Sequence, residues 1–225
     1  GATQADINLY QEFLSAKQLT SRVYVMINGS DPELLASWMQ RGPLIDVDQR
    51  MLTVRSIKLV ADGALGSRGA WLLEPYSDRV GHNGLPTMPV SEMQDISHLA
   101  YRNGFQIAIH AIGDRANREV LDIFDALFDG RDRGVRFRVE HAQHIHPSDI
   151  GRFARLGVIP SVQGIHMSSD RPWAIDRLGA ARVESGAYMW RSLIDSGAVL
   201  VNGTDVPVEP ADPFASFYAL VTRKT

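Results

Sequence analysis

The segment FQIAIHAIGD, residues 105–114, and the residues that follow it carry the pattern from which the fold class is predicted. From Phe105 to His110, apolar side chains alternate with small or polar ones, which is the period of a β-strand. Beyond it, 116–128 carries apolar residues at helical spacing, and we expect Gly130 to end this helix. The helical stripe consists of Val120, Leu121, Phe124, Leu127 and Phe128. A strand followed directly by a helix is one βα unit of a parallel sheet.

This βα pattern recurs along the whole chain. Six short apolar runs predict parallel strands, each buried on both faces, at 22–28, 54–60, 105–110, 137–142, 158–162 and 199–202. Further helices are predicted at 147–156, at 187–196 before Gly197, and from Asp212 and Pro213 onward. Two connections, 63–89 and 163–186, are longer than simple turns, and we interpret both as functional loops.

Polar residues stand at or just beyond the C-terminal ends of several predicted strands, which favours a TIM barrel over a doubly wound sheet. They are Lys58, Asp62, His110, Asp114, His141, Gln163, His166 and Asp205. Barrel enzymes collect their catalytic groups at that end, and the sequence contains no G-x-G-x-x-G turn of a nucleotide-binding sheet. Because a complete barrel has eight strands in about 250 residues, we predict a single partial TIM-barrel domain over 1–225, lacking two βα units.

The N-terminal segment agrees with a partial barrel. It begins at Gly1 without Met, and GATQADINLY reads as the middle of an amphipathic helix. We therefore expect a fragment of a longer protein. Missing units would leave sheet edges unpaired, so we also expect association between chains, such as a homo-oligomer.

Composition excludes several classes of function. The 225 residues carry a formal net charge of −3, which offers no basic field for nucleic acid. The chain has no Cys, which excludes disulfides, thiolate nucleophiles and Cys-ligated zinc. It also has no apolar run of about 20 residues and no signal-peptide pattern, so we expect a cytoplasmic protein without a membrane partner.

Two histidines end neighbouring predicted strands. His110 closes FQIAIH, and His141 closes the strand in RFRVEHAQ one βα unit later, so their side chains are expected to converge. Imidazole is a common zinc ligand, and catalytic zinc sites keep a position open for water. The alternative is that each is a core histidine hydrogen-bonded to a neighbour. His144 and His146 form an H-x-H beyond the second strand, and we interpret them as loop residues rather than ligands.

Lys58 lies inside the apolar segment VRSIKLVADG, where an unpaired ammonium group is strongly disfavoured. One interpretation pairs it with Asp62. A desolvated lysine can also act as a neutral nucleophile in Schiff-base chemistry, or it can be chemically modified. The residues alone leave these alternatives open.

Asp205 follows the last predicted strand on a turn before Pro207. A turn-capping aspartate is one interpretation. At the end of a barrel strand the same carboxylate can bind a metal and accept a proton from metal-activated water.

Several long motifs, in this order, resemble the amidohydrolase superfamily in its amidohydrolase-3 (YtcJ-like) branch. They are KLVADGALGSRGAWLLEPYSD, IHAIGDRAN, RVEHAQ, PSVQGIHMSSDRPWAIDRLG, GAYMWRSLIDSGA and NGTDVPVEPADP. The resemblance extends from Ile57 over almost all of the remaining chain. It implies a TIM barrel with one or two divalent metal ions, of which zinc is our expectation, at the C-terminal ends of the strands.

The resemblance also implies a role for individual residues. Lys58 matches a lysine that is carboxylated and bridges two metals in many members, and His110 and His141 match two further metal ligands. Asp205 matches an aspartate that binds the metal and transfers the proton. His166 matches a histidine near the substrate carbonyl, and Arg68 lies in a loop, GSRGA, that is expected to border the substrate.

The family's first strand ends in an H-x-H that supplies two more ligands, and no histidine precedes Lys58 here. We therefore expect this chain to lack barrel strands one and two and the flanking β-sandwich, and its isolated metal site to be weak or empty.

The leading functional hypothesis is metal-dependent hydrolysis of a non-peptide or cyclic C–N amide bond in a small molecule. The alternatives are a catalytically incomplete fragment or binding module and, less favoured, a Schiff-base lyase that uses Lys58.

Overall fold

The computed structural model of this protein describes residues 1–128 and 134–224. Gly130, the predicted end of a helix, therefore lies outside the described residues. The chain divides into two compact units, one formed by Gly1–Leu59 with Ser91–Ile109 and the other by Val60–Val90 with His110–Thr225. No helix in the described ranges is long and apolar enough to cross a membrane.

The first unit contains the N-terminal elements and most of the helix that precedes the strand Gln106–Ala111. Its elements are α1 (Gln4–Ser15), β1 (Val23–Asn28), α2 (Pro32–Arg41), β2 (Leu44–Asp46), the single turn α3 (Val47–Arg50), β3 (Leu52–Val60) and α4 (Val90–Arg102). Thr3 begins α1 with a capping box to Asp6, and Asp31 begins α2 by accepting from the Leu34 N–H. Ile7, Trp38 and Ile57 are fully or almost fully buried in this unit.

The second unit contains the C-terminal half of the βα repeat. Strand β4 (Gln106–Ala111) has residues in both units. The following elements are α5 (Asp114–Phe128), β5 (Arg138–His141), α6 (Pro147–Leu156), β6 (Ile159–Val162), α7 (Gly164–Leu178), α8 (Ala180–Gly186), α9 (Trp190–Asp195), β7 (Val201–Asn202) and α10 (Pro213–Thr222). The predicted apolar stripe of α5 is buried, and its Phe124 and Phe128 pack on Phe137 with ring centroids 5.1 and 5.2 Å apart.

The strands pair as the βα pattern predicts. Strand β1 pairs in parallel with β3, β5 with β6, and β6 with β7. The strand order is β1-β3-β4-β5-β6-β7. Strand β2 was not predicted, and it pairs antiparallel with β3 at Leu44 and Val54.

All six predicted strands are present, with ends within two residues of the expected positions. The prediction that each is buried on both faces is wrong for β1 and β7. Both residues of β7 are exposed, and in β1 Tyr24 is exposed while Met26 and Asn28 are only partly buried. These two strands stand first and last in the strand order.

The prediction of a functional loop at 163–186 is also wrong, because this segment forms α7 and α8. Pro172 lies inside α7 and obscured the helical pattern, although Met167, Ala174 and Leu178 are buried at helical spacing. The connection 63–89 is irregular, as predicted. The helix predicted at 187–196 begins only at Trp190, since Ala187 bridges to His144 in extended conformation.

Candidate active site

The structure brings His110 and His141 together, as the sequence predicts. His110 lies in β4 and His141 ends β5, and their ring centroids are 4.4 Å apart in an edge-to-face arrangement. The backbone of His141 has φ 75° and that of Ala142 has φ 41°, so the chain turns through the left-handed region directly at the strand end. Such unfavourable backbone conformations in non-glycine residues concentrate at functional sites.

Each of these two imidazoles faces a protein acceptor through one ring nitrogen. His141 Nδ1 lies 2.7 Å from Gln163 Oε1, and because an amide oxygen only accepts, the imidazole donates from Nδ1. His110 Nε2 lies 3.4 Å from Asp62 Oδ1. An acceptor that holds one nitrogen of a histidine fixes which nitrogen keeps its lone pair.

Asp62 is fully buried and its carboxylate accepts three backbone hydrogen bonds. Oδ1 accepts from the Ile112 N–H at 3.0 Å, and Oδ2 accepts from the N–H groups of Gly113 and Trp71, both at 2.8 Å. Burial raises the pKa of Asp62 to about 7, while these three donors act in the opposite direction. The sequence predicts Asp62 as a strand-end polar residue and as one possible partner of Lys58, but not the three backbone N–H groups that donate to it.

His166 joins the two strand-end histidines. It lies in the first turn of α7, and its ring stacks near that of His141 with centroids 5.9 Å apart and an interplanar angle of 14°. Its Nε2 atom is buried and accepts or donates no hydrogen bond within the part of the chain that the structure describes.

A polar cluster follows His166 one turn later in α7. Asp170 Oδ2 accepts from the Tyr188 hydroxyl at 2.6 Å and from the Gln143 amide at 2.8 Å. Burial raises the pKa of Asp170, and the hydrogen bond from Tyr188 and the charge of His166 lower it. Because these residues lie far apart along the chain, no sequence motif predicts the cluster.

Two further ligands, Lys58 and Asp205, were predicted from the resemblance. Lys58 lies in β3 of the first unit, partly buried, and its Nζ donates to the Leu59 carbonyl at 3.2 Å. Asp205 lies beyond β7, exposed, with a left-handed φ of 57°. Among the described residues, no group of three or more His, Asp or Glu side chains is arranged to hold a metal ion.

Arg68, predicted to border the substrate, is held by another side chain. Its guanidinium donates to both oxygens of Asp78, at 3.0 and 2.8 Å, and this raises the pKa of Arg68. Asp78 also accepts from Arg177 of α7, whose Nε donates to the Gly66 carbonyl at 3.2 Å. Asp78 therefore ties the 63–89 segment to α7.

His144 and His146 lie beyond β5, as the sequence interpretation placed them. His146 begins α6, and its side chain accepts from the Ser148 N–H. His144 is 2% exposed, and its Nε2 lies 3.6 Å from Asp114 Oδ2. Burial lowers the pKa of His144, while Asp114 acts in the opposite direction.

The fold and the strand-end histidines define a class of α/β protein with a polar site at the carboxyl ends of its strands. Comparison with known proteins gives the family. The Amidohydrolase family matches residues 1–225, and the chain belongs to that family. This confirms the resemblance inferred from the sequence motifs.

Three relatives illustrate the similarity. LONG AFTER FAR-RED 3 of Arabidopsis thaliana is 33% identical over 220 residues, which are 97% of this chain and 37% of that protein. YtcJ of Bacillus subtilis (strain 168), which carries the name of an amidohydrolase, is 36% identical over 170 residues, which are 76% of this chain and 32% of that protein. The crystal structure of a metal-dependent hydrolase from Pyrococcus horikoshii is 32% identical with a TM-score of 0.86, covering 98% of this chain and 43% of that one.

The chain thus spans 32% to 43% of the length of these three proteins. The similarity to the Pyrococcus structure confirms the predicted fold class, a partial TIM barrel of the metal-dependent hydrolase type.

Proposed function

We propose that this chain forms part of a hydrolase that uses a divalent metal ion, with zinc as our expectation, to cleave a C–N bond in an amide or cyclic amide. The observation that carries the proposal is the His110–His141 pair. The two rings are 4.4 Å apart, and each has one nitrogen beside a side-chain oxygen. Neighbouring histidines oriented in this way are typical of metal ligands.

The donor chemistry of the site fits a divalent metal. His110 and His141 supply two neutral imidazoles, which suit zinc and similar ions. By resemblance to the family, we add Asp205 and a carboxylated Lys58 as further ligands. When bound, the metal lowers the pKa of a coordinated water and polarises the substrate carbonyl.

The protein side chains supply the proton transfer and the substrate contacts. We assign Asp205 as the group that accepts the proton from the attacking water and returns it to the leaving nitrogen. His166, whose buried Nε2 has no hydrogen-bond partner among the described residues, is assigned to the substrate carbonyl oxygen. Arg68 is assigned to the border of the substrate site. The small-molecule amide is the proposed partner.

Metal analysis and an amide-hydrolysis assay on the full-length protein test this function. The substrates are N-acyl amino acids, cyclic amides and dipeptides, each measured with and without a chelator. H110N and H141N are expected to lose bound metal and activity together. H146N is the matched control, because Asn also caps helices well and His146 serves as the cap of α6.

The alternatives give different results. Hydrolysis that persists after complete removal of metal would contradict the proposal. Borohydride trapping of a carbonyl substrate on Lys58, combined with chelator resistance, would favour a Schiff-base lyase. A full-length protein that binds small-molecule ligands, but does not bind metal and does not hydrolyse amides, would favour a binding module. For the 225-residue chain alone, we expect weak metal binding and little activity, because no histidine precedes Lys58 that could correspond to the family's first-strand H-x-H.

A further inference from the structure

Asp170 of α7 accepts two hydrogen bonds from side chains that lie on other segments. The Tyr188 hydroxyl donates to its Oδ2 at 2.6 Å, and the Gln143 amide donates to the same oxygen at 2.8 Å. The Gln143 amide also donates to the Tyr188 hydroxyl oxygen at 3.0 Å, so each of the three side chains contacts the other two. Gln143 and Tyr188 are buried. Because buried polar groups are costly to leave unpaired, this cluster resists rearrangement.

Tyr188 is also fixed through its backbone. Its N–H donates to the Gln143 carbonyl at 2.7 Å, and its own carbonyl accepts from the Arg223 guanidinium at 2.8 Å. The residue has a left-handed φ of 54°, which is unfavourable for a bulky side chain. Contacts at its N–H, carbonyl and hydroxyl groups hold it in this conformation. Asp170 therefore faces two donors whose positions are set by the surrounding structure.

The cluster connects the segments that carry two of the candidate-site histidines. Gln143 lies two residues after His141, and Asp170 lies four residues after His166 on the same face of α7. The side chains of Asp170 and His166 are close enough for the charge of His166 to lower the pKa of Asp170. The hydrogen bond from Gln143 to Asp170 thus fastens the helix of His166 to the segment that follows His141.

The beginning of α7 depends on such tertiary contacts. Pro172 has no N–H to donate to the Ser168 carbonyl, so the helix lacks one backbone hydrogen bond directly beyond Asp170. The N-cap residue, Gln163, uses its side chain outside the helix and not as a cap. The position of the His166 ring is therefore set by contacts between α7 and its neighbours, and the bonds to Asp170 are among them.

We propose that Asp170 is a positioning residue for His166, and that it holds the first turns of α7 so that this imidazole faces the substrate carbonyl beside His141. The inference rests on the proposed function, which assigns His166 to the substrate. The rings of His141 and His166 lie 5.9 Å apart and within 14° of parallel, and the Gln143–Asp170 hydrogen bond maintains this arrangement. Asp170 acts through His166 and does not itself contact the substrate.

A double-mutant cycle in the full-length protein tests this role through steady-state kinetics. In D170A, kcat is expected to fall about tenfold with little change in KM, a smaller loss than the roughly 10²- to 10³-fold caused by removing a transition-state hydrogen-bond donor itself. In an H166A background, D170A is expected to have no further effect, because its role passes through His166. D170N keeps an acceptor oxygen and should retain most of the activity. D176A, at an exposed position of the same helix, is the matched control.

A second readout does not require activity. The full-length protein is labelled with ¹³C at the histidine Cε1 atoms, and H166A identifies the His166 signal. In D170A this signal is expected to shift and broaden, because the ring leaves its stacked position beside His141. In D170N it should stay close to its wild-type position. The signal of His98 in α4 is the internal reference.

Three results would overturn the inference. They are an unchanged His166 signal in folded D170A, the same loss of kcat from D170A with and without His166, and a D170N variant as impaired as D170A. If D170A does not fold, Y188F takes its place, since it removes one of the two donors and should show the same dependence on His166. If the full-length protein hydrolyses no amide, the proposed function fails, and the His166 signal alone decides whether Asp170 positions this ring.

Discussion

The imidazole of His141 donates from Nδ1 to the side-chain oxygen of Gln163 across 2.7 Å. Gln163 is in turn fixed, because its amide nitrogen donates to the Ser161 carbonyl at 3.1 Å in β6. The acceptor of one strand-end histidine thus comes from the next βα unit. A partner of this kind sets both the tautomer and the ring orientation of a metal-binding histidine.

Replacing Gln163 is therefore expected to weaken metal binding without unfolding the protein. In Q163A, His141 loses its acceptor, and the Kd for zinc in the full-length protein should rise about 10- to 100-fold. Q163E keeps an acceptor at this position and should bind zinc much more tightly than Q163A. Competition with a chromophoric chelator measures both constants. Equal zinc affinity in Q163A and the wild type would show that this contact does not support the metal.

The sequence predicts the strands and the histidine pair because both depend on local pattern. Apolar runs at a βα period give the six strands, and His110 and His141 close two of them, so their convergence follows from the parallel arrangement. The α7 helix could not be predicted in this way, because Pro172 interrupts its helical pattern. The helix is instead stabilised by its packing against α10 and α8.

The surroundings of the histidines depend on backbone groups, which a sequence pattern does not reveal. Asp62 accepts from the N–H groups of Trp71, Ile112 and Gly113, whose identities carry no signal for that contact. The position of Asp62 just beyond a predicted strand indicates only in general terms that the residue lies at the functional end of the sheet.

His144 is expected to make stability fall in mildly acidic solution. Burial lowers its pKa from the ordinary 6.5, although Asp114 and the Gly186 carbonyl raise it, and Arg182 and His146 lower it further. Below about pH 6.5 the unfolded chain therefore binds more protons at this residue than the folded chain does, so the free energy of unfolding decreases as the pH falls towards the folded pKa.

The variant H144Q removes this titration. Urea unfolding of both proteins from about pH 7.5 to about pH 5 should show a shallower loss of stability in H144Q than in the wild type. Other titrating groups contribute to both proteins, so the difference between the two curves isolates His144. Parallel curves would contradict the assignment.

Asp78 is expected to hold the 63–89 segment in place through Arg68 and Arg177. D78N loses much of the attraction to both guanidinium groups, so amide hydrogen exchange in this segment should become several-fold faster while exchange in β5 and β6 stays unchanged. D195N is the control, because Arg191 and Asp195 form an exposed ion pair within the single helix α9. If D78N and the wild type exchange at the same rates, Asp78 does not hold the 63–89 segment in place.

Two glycines are expected to respond to alanine in opposite directions. A Cβ at Gly113 would lie 2.0 Å from the Trp71 carbonyl oxygen, whereas a Cβ at Gly151 meets nothing within 4 Å. G113A must displace the backbone that also holds Asp62, and should lower the free energy of unfolding by about 3 kcal/mol or more. G151A lies on the exposed side of α6, where alanine restricts the unfolded chain, and should raise stability by roughly 0.5 to 1 kcal/mol. Urea denaturation measures both, and a tolerated G113A would mean that the Trp71 segment can withdraw without loss of the fold.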